Sequence, residues 1–118
     1  MAQKQSKAER EAAECDEAIA AMSDRDRAIA EKLHDVIVRA APSLAPRTWY
    51  KQPAYALDGK NICFFRGADV DGERYLSFGF TGDAAVDDGN VWPTSYAITT
   101  LTAADEKRIA ALVKKAVG

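Results

Sequence analysis

The chain has 118 residues, of which 47% are hydrophobic and 29% charged, and its formal net charge is −2. These ordinary proportions predict one globular domain over residues 1–118, whose core needs neither a disulfide nor a metal. A charge this close to neutral gives no overall field that would attract nucleic acid, and no apolar run is long enough to cross a membrane. The first fourteen residues lack the apolar segment of a secretory signal, so the expected location is the cytoplasm.

The first forty residues are predicted to form a helical hairpin. Ser23 is a good N-cap for the second helix, and Asp24 and Asp26 place negative charge in its first turn. Pro42 and Pro46 are expected to end that helix. In the first helix, apolar residues recur at spacings of four and three and form one narrow stripe: Ala8, Ala12, Cys15, Ile19 and Met22.

Two uses of the narrow apolar stripe are open at this point. It either packs within the domain or mediates a homodimer. We treat residues 1–22 as an N-terminal helical extension and residues 23–118 as the core of the domain.

The middle of the chain is rich in aromatic and β-branched residues and in glycine, which predicts strands. Asp58-Gly59 and Asp71-Gly72 are hairpin signals, because both central residues of a type I′ turn need a positive φ. They predict a three-stranded antiparallel meander over about residues 53–57, 60–66 and 74–81. The segment SYAITTL, which begins at Ser95, predicts a further strand.

The last predicted element is a C-terminal helix. Thr102 is its expected N-cap, and Asp105 follows three residues later, which is close to a capping box. Helices at both ends of the chain with strands between them predict an α+β fold. In that fold, an N-terminal helical hairpin and a C-terminal helix pack on an antiparallel sheet of about four to five strands.

Tight turns fix the register of a hairpin, and register assigns each side chain to a face of the sheet. Counting outward from the two Asp-Gly turns pairs Cys63 with Ala54 and Phe80. A bulge at Gly67 would exchange the faces beyond it. The predicted core face carries Ala54, Ala56, Cys63, Phe65, Leu76, Phe78 and Phe80. The predicted opposite face carries Tyr55, Leu57, Ile62, Phe64, Tyr75, Ser77, Gly79 and Thr81.

The predicted opposite face mixes aromatic rings, hydroxyls and glycine. Phe64 is expected directly across from Gly79, where no side chain competes for space. Such a face is either covered by another element or left as a shallow groove, and a groove predicts a binding site. The candidate ligand-binding residues are Trp49, Lys51, Tyr55, Lys60, Phe64, Gly79 and Trp92.

Charge is unevenly distributed around these aromatic residues. Between residues 47 and 66, four cations accompany a single acid, Asp58. Cations beside an aromatic groove favour a small anionic molecule or a peptide as the ligand. The other interpretation is that these charges keep turns and strand edges soluble. The four cations are Arg47, Lys51, Lys60 and Arg66.

An acidic segment follows, and its carboxylates are the only candidate metal ligands. Asp83, Asp87 and Asp88 are a weak alternative of this kind, since carboxylates without a histidine or ordered spacing hold a hard cation loosely. Exposed surface turns are the other interpretation, and we expect no resident cofactor.

No catalytic motif is present, which predicts a protein that is not an enzyme. The sequence has no nucleophile elbow, phosphate loop or HExxH. The single histidine, His34, lies one step off an apolar stripe and is expected to form a local hydrogen bond. Cys15 lies on the apolar stripe of the first helix and Cys63 in an apolar run, and both are expected to be small buried side chains.

Three short motifs and a longer run carry a resemblance to a known family. WYKQPAY at Trp49, Gly59-Lys60 and ICFF at Ile62, with the run that begins LSFGFTGD at Leu76, resemble the YdhG-like family of small bacterial domains. The resemblance covers roughly residues 24–118. It implies an α+β fold with an antiparallel sheet. Because some members are described as frataxin-like iron chaperones, it also implies an alternative function, in which acidic surface residues carry iron or another divalent metal. The dipeptide Lys51-Gln52, directly before Pro53, stands where the family pattern would have Gly-Met.

Overall fold

The computed structural model describes residues 5–118, so residues 1–4 of the predicted extension lie outside the described residues. The five strands form one antiparallel sheet in the order β1-β2-β3-β4-β5, which confirms the predicted α+β class. In chain order the elements are α1 (Lys7–Ala20), α2 (Asp24–Ala40), β1 (Ala45–Trp49), β2 (Gln52–Leu57), β3 (Lys60–Arg66), α3 (Ala68–Asp71), β4 (Leu76–Phe80), β5 (Ser95–Ile98) and α4 (Ala103–Ala116).

The helices begin where the capping residues predict. The Ser23 hydroxyl accepts a hydrogen bond from the backbone N–H of Asp26 at the start of α2. At the start of α4, Thr102 and Asp105 form a complete capping box. Over residues 5–118, no helix is both long and apolar enough to span a membrane.

The stripe on α1 packs inside the domain. Cys15 and Ile19 are buried, and α1 contacts β1 and β2. Of the two uses left open by the sequence, packing within the domain is therefore observed. A homodimer through α1 stays a prediction.

Strand β1 was not predicted, because its sequence lacks the usual signals. Pro46 lies inside it, which is tolerated because β1 is an edge strand. The turn to β2 consists of Tyr50 and Lys51, both in the left-handed region with φ of 51° and 64°. Without glycine or asparagine, this dipeptide carries no hairpin signal.

Of the two predicted Asp-Gly turns, only the first has the expected form. Asp58 and Gly59 have φ of 51° and 82°, as a two-residue turn between β2 and β3 requires. The prediction of a second such turn is wrong, because residues 68–71 form one turn of helix that ends at Gly72 with φ of 67°. The longer connection is centred on the same point, so the predicted pairing of Phe64 with Gly79 is nevertheless confirmed.

A bulge between β2 and β3 overturns part of the predicted register. Next to the turn, Ala56 pairs with Asn61 as expected, but Tyr55 then pairs with Cys63. Ile62 and Cys63 both oppose Tyr55, and all three side chains are buried. Relative to Cys63 and Phe65, the side chains of β2 and Ile62 therefore lie on the faces opposite to those predicted.

The sheet consequently has two unlike faces. Residues of α1, α2 and α4 share one hydrophobic cluster with one face of the sheet, whereas the buried Ala54 and Ala56 of the other face lie outside that cluster. The helix-covered face carries Tyr55, Ile62, Cys63, Phe65, Leu76, Phe78 and Phe80. The open face carries Arg47, Trp49, Ala54, Phe64, Arg66, Ser77 and Gly79.

Candidate functional site

Three aromatic rings form a row on the open face, and we call Trp49, Tyr50 and Phe64 the aromatic patch. The Trp49 and Phe64 ring centroids are 5.3 Å apart with the rings edge to face, and the Tyr50 centroid lies 5.3 Å from that of Trp49. Trp49 is 38% exposed and Tyr50 80% exposed. The patch therefore presents contiguous aromatic surface at the β1–β2 end of the sheet.

Local backbone features position the patch. The left-handed conformations of Tyr50 and Lys51 close the β1–β2 hairpin and pair Trp49 with Gln52. Gly79 leaves room for Phe64, because a Cβ atom there would lie 2.8 Å from Phe64 Cζ. The ring of Phe64 thus lies over a backbone with no side chain of its own.

Of the seven predicted ligand-binding residues, the structure brings three together: Trp49, Phe64 and Gly79. Lys51 lies in the turn beside Tyr50. Lys60 is exposed at the β2–β3 turn and pairs with Leu57. Because Leu57 packs against the core, this pairing places Lys60 on the helix-covered side of the sheet. Only Trp49, Phe64 and Gly79 share a surface, and Lys60 lies at the opposite end of β2 from Lys51.

The prediction that Tyr55 shares a face with Phe64 is wrong. Because of the bulge, Tyr55 lies on the helix-covered face, is fully buried and stacks on Phe65 at 6.1 Å. Trp92 does not join the patch either, since it packs against the hydrophobic core. The groove predicted from sequence is therefore reduced to the aromatic patch.

Tyr55 instead belongs to a buried polar cluster. Its hydroxyl lies 2.8 Å from Nδ1 of His34 and 3.9 Å from Sγ of Cys15. His34 thus forms a hydrogen bond, but its partner lies 21 residues away on β2 and is not local as predicted. Burial raises the pKa of the Tyr55 hydroxyl well above its usual range. The Tyr55 hydroxyl therefore has hydrogen-bond partners within the core and is closed to solvent.

Both cysteines are free and buried, as predicted. Burial, the main cause, raises the pKa of Cys15 to about 11, although a weak hydrogen bond to Tyr55 opposes this shift. Burial also raises the pKa of Cys63 to about 12. Both thiols therefore stay neutral at physiological pH.

The cations around the patch differ in how they are engaged. Arg66 Nε pairs with an Asp71 carboxylate oxygen at 2.8 Å, whereas Arg47 Nε donates to the neutral amide oxygen of Asn61 at 2.7 Å. Lys51 forms no ion pair with any described residue and is exposed. The groove beside Trp49 and Arg47 is also lined by Glu11 and Glu14 of α1. Among these cations, Lys51 and Arg47 therefore carry positive charge without an ion pair to a described residue, and Glu11 and Glu14 lie beside Arg47.

No protein-family model, curated protein or solved structure matches the chain. The resemblance to the YdhG-like family accordingly stays a prediction that rests on the motifs.

The weak alternative metal ligands lie apart from the patch. Asp83, Asp87 and Asp88 are exposed on the loop between β4 and β5. Within the described part of the chain, no three or more His, Cys, Asp or Glu side chains are grouped so that they would hold a metal ion. Iron carriage therefore has only the family resemblance behind it.

Sequence reasoning missed the burial of one charged residue, Asp26. This residue is 2% exposed, and its Oδ2 accepts a hydrogen bond from the backbone N–H of Asp69 at 3.2 Å. Its Oδ1 is buried and has no hydrogen-bond partner among residues 5–118. One signal pointed to its burial: Asp26 precedes Ile29 by three positions and Leu33 by seven, so it lies on the apolar stripe of α2.

Proposed function

We propose that the protein is a non-enzymatic binding module that docks a peptide segment of a partner protein on its open face. The observation that carries this proposal is the exposed row of rings formed by Trp49, Tyr50 and Phe64. Contiguous exposed apolar surface often marks an interaction site, and Trp and Tyr are enriched among the residues that dominate binding energy.

The form of the patch favours a peptide over a small molecule. Small-molecule sites are usually concave and enclose most of their ligand. The aromatic patch is a row of rings on a sheet surface, with Trp49 and Tyr50 both exposed. An extended peptide gains from such a surface because its side chains lie along the rings.

The charge beside the patch supports a second element of recognition. Lys51 follows Tyr50 in the β1–β2 turn and forms no ion pair with a described residue. A carboxylate on the peptide would form a charge-assisted hydrogen bond with its ammonium group. We therefore infer that the segment has an apolar side chain for the rings and an acidic side chain for Lys51.

A random peptide library selected against the immobilised full-length protein tests this proposal. We expect selected peptides to combine an aromatic or aliphatic residue with Asp or Glu. Affinity is measured by the fluorescence of Trp49 in a Trp92→Phe background, which leaves Trp49 as the one tryptophan. Replacing a central aromatic anchor commonly costs 2 kcal/mol or more, so Tyr50→Ser should weaken binding by at least about tenfold.

Two further variants complete the test. Lys51→Glu should weaken binding of acidic peptides and reverse its dependence on salt, because screening then relieves repulsion. Val91→Ser is the matched control, because Val91 is 88% exposed but lies outside the patch, and it should leave affinity unchanged. Two outcomes would contradict the proposal: peptides that bind equally well to Tyr50→Ser, or a library that yields no binding peptide.

Membership of the YdhG-like family, and the iron or divalent-metal chaperone function that it implies as an alternative, are proposals supported by motif resemblance. Anaerobic calorimetry with ferrous iron separates this function from peptide docking. Heat of binding that Tyr50→Ser leaves intact and Asp87→Asn with Asp88→Asn removes would favour metal carriage.

A further inference from the structure

We propose that the protein forms a homodimer in which the outer edge of β5 pairs antiparallel with the same edge of a second copy. The two sheets then join into one sheet of ten strands, five from each copy. This inference is independent of the peptide-docking proposal. The aromatic patch is built from β1, the β1–β2 turn and β3, whereas β5 is the edge strand on the other side of the sheet.

The hydrogen bonds between β4 and β5 show which backbone groups point away from the sheet. The Phe80 N–H donates to the Thr94 carbonyl oxygen at 2.7 Å, so these two residues form a hydrogen-bonded pair. Residues along an antiparallel strand bond to the neighbouring strand alternately. Tyr96 therefore bonds to β4, whereas the N–H and C=O groups of Ser95 and Ala97 point outward. Among residues 5–118, no backbone group outside β4 forms a hydrogen bond with Ser95 or Ala97.

The outer edge of β5 is open. Ser95, Ala97 and Thr99 are all exposed. A groove of about 240 Å³ lies between β5 and α4, and residues 96–101 line it along the strand and the connection into α4. The edge therefore faces this groove and the solvent, with room for another strand.

The sequence of β5 lacks the features that usually protect an edge strand. Natural edges are protected by charged side chains, by proline or by a covering element. The opposite edge strand, β1, has all three, because it contains Arg47 and Pro46 and contacts α1. In contrast, residues 94–101 include no proline, glycine or charged residue. The one protective feature of β5 is its length of four residues, which keeps any pairing small and reversible.

The edge of β5 is complementary to itself, and this favours a second copy as the occupant. If the two-fold axis passes beside Ala97, this small residue opposes its own copy. On the helix-covered side, Tyr96 then opposes Ile98 of the second copy, and pairs of aromatic and β-branched residues stabilise neighbouring strands. On the open side, Ser95 opposes Thr99 of the second copy. No like charges meet across the paired strands.

Charge and symmetry agree with this arrangement. The net charge of −2 gives only weak repulsion between two copies. Beside the edge, the groove is lined by one acid, Asp105, and one base, Arg108, so neither sign of charge dominates there. Because both copies use the same edge, the contact closes at a dimer. The edges left at the two ends of the joined sheet are the protected β1 strands.

Sedimentation equilibrium of the full-length protein from about 1 µM to 1 mM tests the inference. We expect a reversible dimer with a Kd of about 1–100 µM, because one strand pair forms a small interface. Ala97→Lys places two ammonium groups beside the axis and should weaken dimerisation by at least about tenfold. Ala45→Lys is the matched control, since Ala45 is an exposed alanine on the opposite edge strand, and it should leave the Kd unchanged.

Disulfide cross-linking keeps the inference testable if Ala97→Lys fails to fold. Paired Cα atoms in such a ladder lie about 5.5 Å apart, so Ala97→Cys should form an inter-chain disulfide under mild oxidation. The native cysteines are buried and should not react, and Ala45→Cys should give no cross-linked dimer. Three results would overturn the inference: a monomer at about 1 mM, a dimer whose Kd Ala97→Lys leaves unchanged, or equal cross-linking of the two cysteine variants.

Discussion

On the helix-covered face, Tyr55, Phe65 and Phe78 are fully buried, whereas on the open face Trp49 keeps 38% of its surface exposed. Both faces are rich in aromatic rings, so composition does not separate them. They differ in what covers them: residues of three long helices share the hydrophobic cluster of one face, whereas the open face carries the partly exposed Trp49 and the Arg66–Asp71 ion pair. Aromatic rings are therefore buried on one face and partly exposed on the other.

Neighbouring phenylalanines give the strongest test of this contrast. Phe65→Ala should lower the free energy of unfolding by about 3–5 kcal/mol, because it leaves a cavity beneath the helices. Phe64→Ala should cost about 1–2 kcal/mol, since Phe64 is only half buried and its loss opens to solvent. Urea denaturation measures both, and equal losses would show that the open face is in fact covered.

Alkaline pH should destabilise the protein through its two buried thiols. The folded pKa values, about 11 for Cys15 and about 12 for Cys63, lie above the ordinary value of 9.0. Stability is therefore complete below pH 9 and falls as pH rises, because the unfolded chain releases protons that the folded chain retains. Two thiols should lower the free energy of unfolding by about 2–3 kcal/mol between pH 8 and pH 10.

The same urea experiment at several pH values measures this slope. Cys63→Ala should reduce the slope by about half, because one of the two linked groups is gone. A stability profile that is flat to pH 10 would show that the thiols are not sealed under the helices.

Two tyrosines, the buried Tyr55 and the exposed Tyr50, test the buried polar cluster. Tyr55→Phe should cost about 1–2 kcal/mol, because it leaves Nδ1 of His34 without its partner at the half-buried edge of the core. Tyr50→Phe should change stability by less than about 0.5 kcal/mol, since Tyr50 is 80% exposed. Thermal unfolding followed by circular dichroism compares the two, and a cost for Tyr50→Phe as large as that for Tyr55→Phe would contradict the assignment of faces.

The smallest expected effect comes from Gly79→Ala. The new methyl group would meet the far end of the Phe64 ring, which is able to move outward on an open face. We expect a loss of about 1 kcal/mol or less, compared with the 1–3 kcal/mol typical of overpacking a closed core. In a double-mutant cycle, Phe64→Ala should abolish the cost of Gly79→Ala, and additive losses would indicate that some other group fills the space.

Much of the candidate site was predictable from the sequence, and the predictions that were wrong have identifiable causes. Counting outward from Asp71-Gly72 predicted the pairing of Phe64 with Gly79, even though a short helix replaces the tight turn there. The side on which Tyr55 lies did not follow, because one extra residue at Ile62 shifts the phase of β2. The exposed Tyr50 went unnoticed because its turn carries no glycine.

The sequence by itself determined the three long helices, since their caps and apolar stripes are interactions between residues a few positions apart. It also determined the first tight turn and the α+β class. Only the tertiary structure decided which face of β2 meets the helices, the presence of β1 and the burial of Asp26 against Gly67. These features depend on contacts between residues far apart in the chain, where the packing of the helices on the sheet selects one of several locally acceptable arrangements.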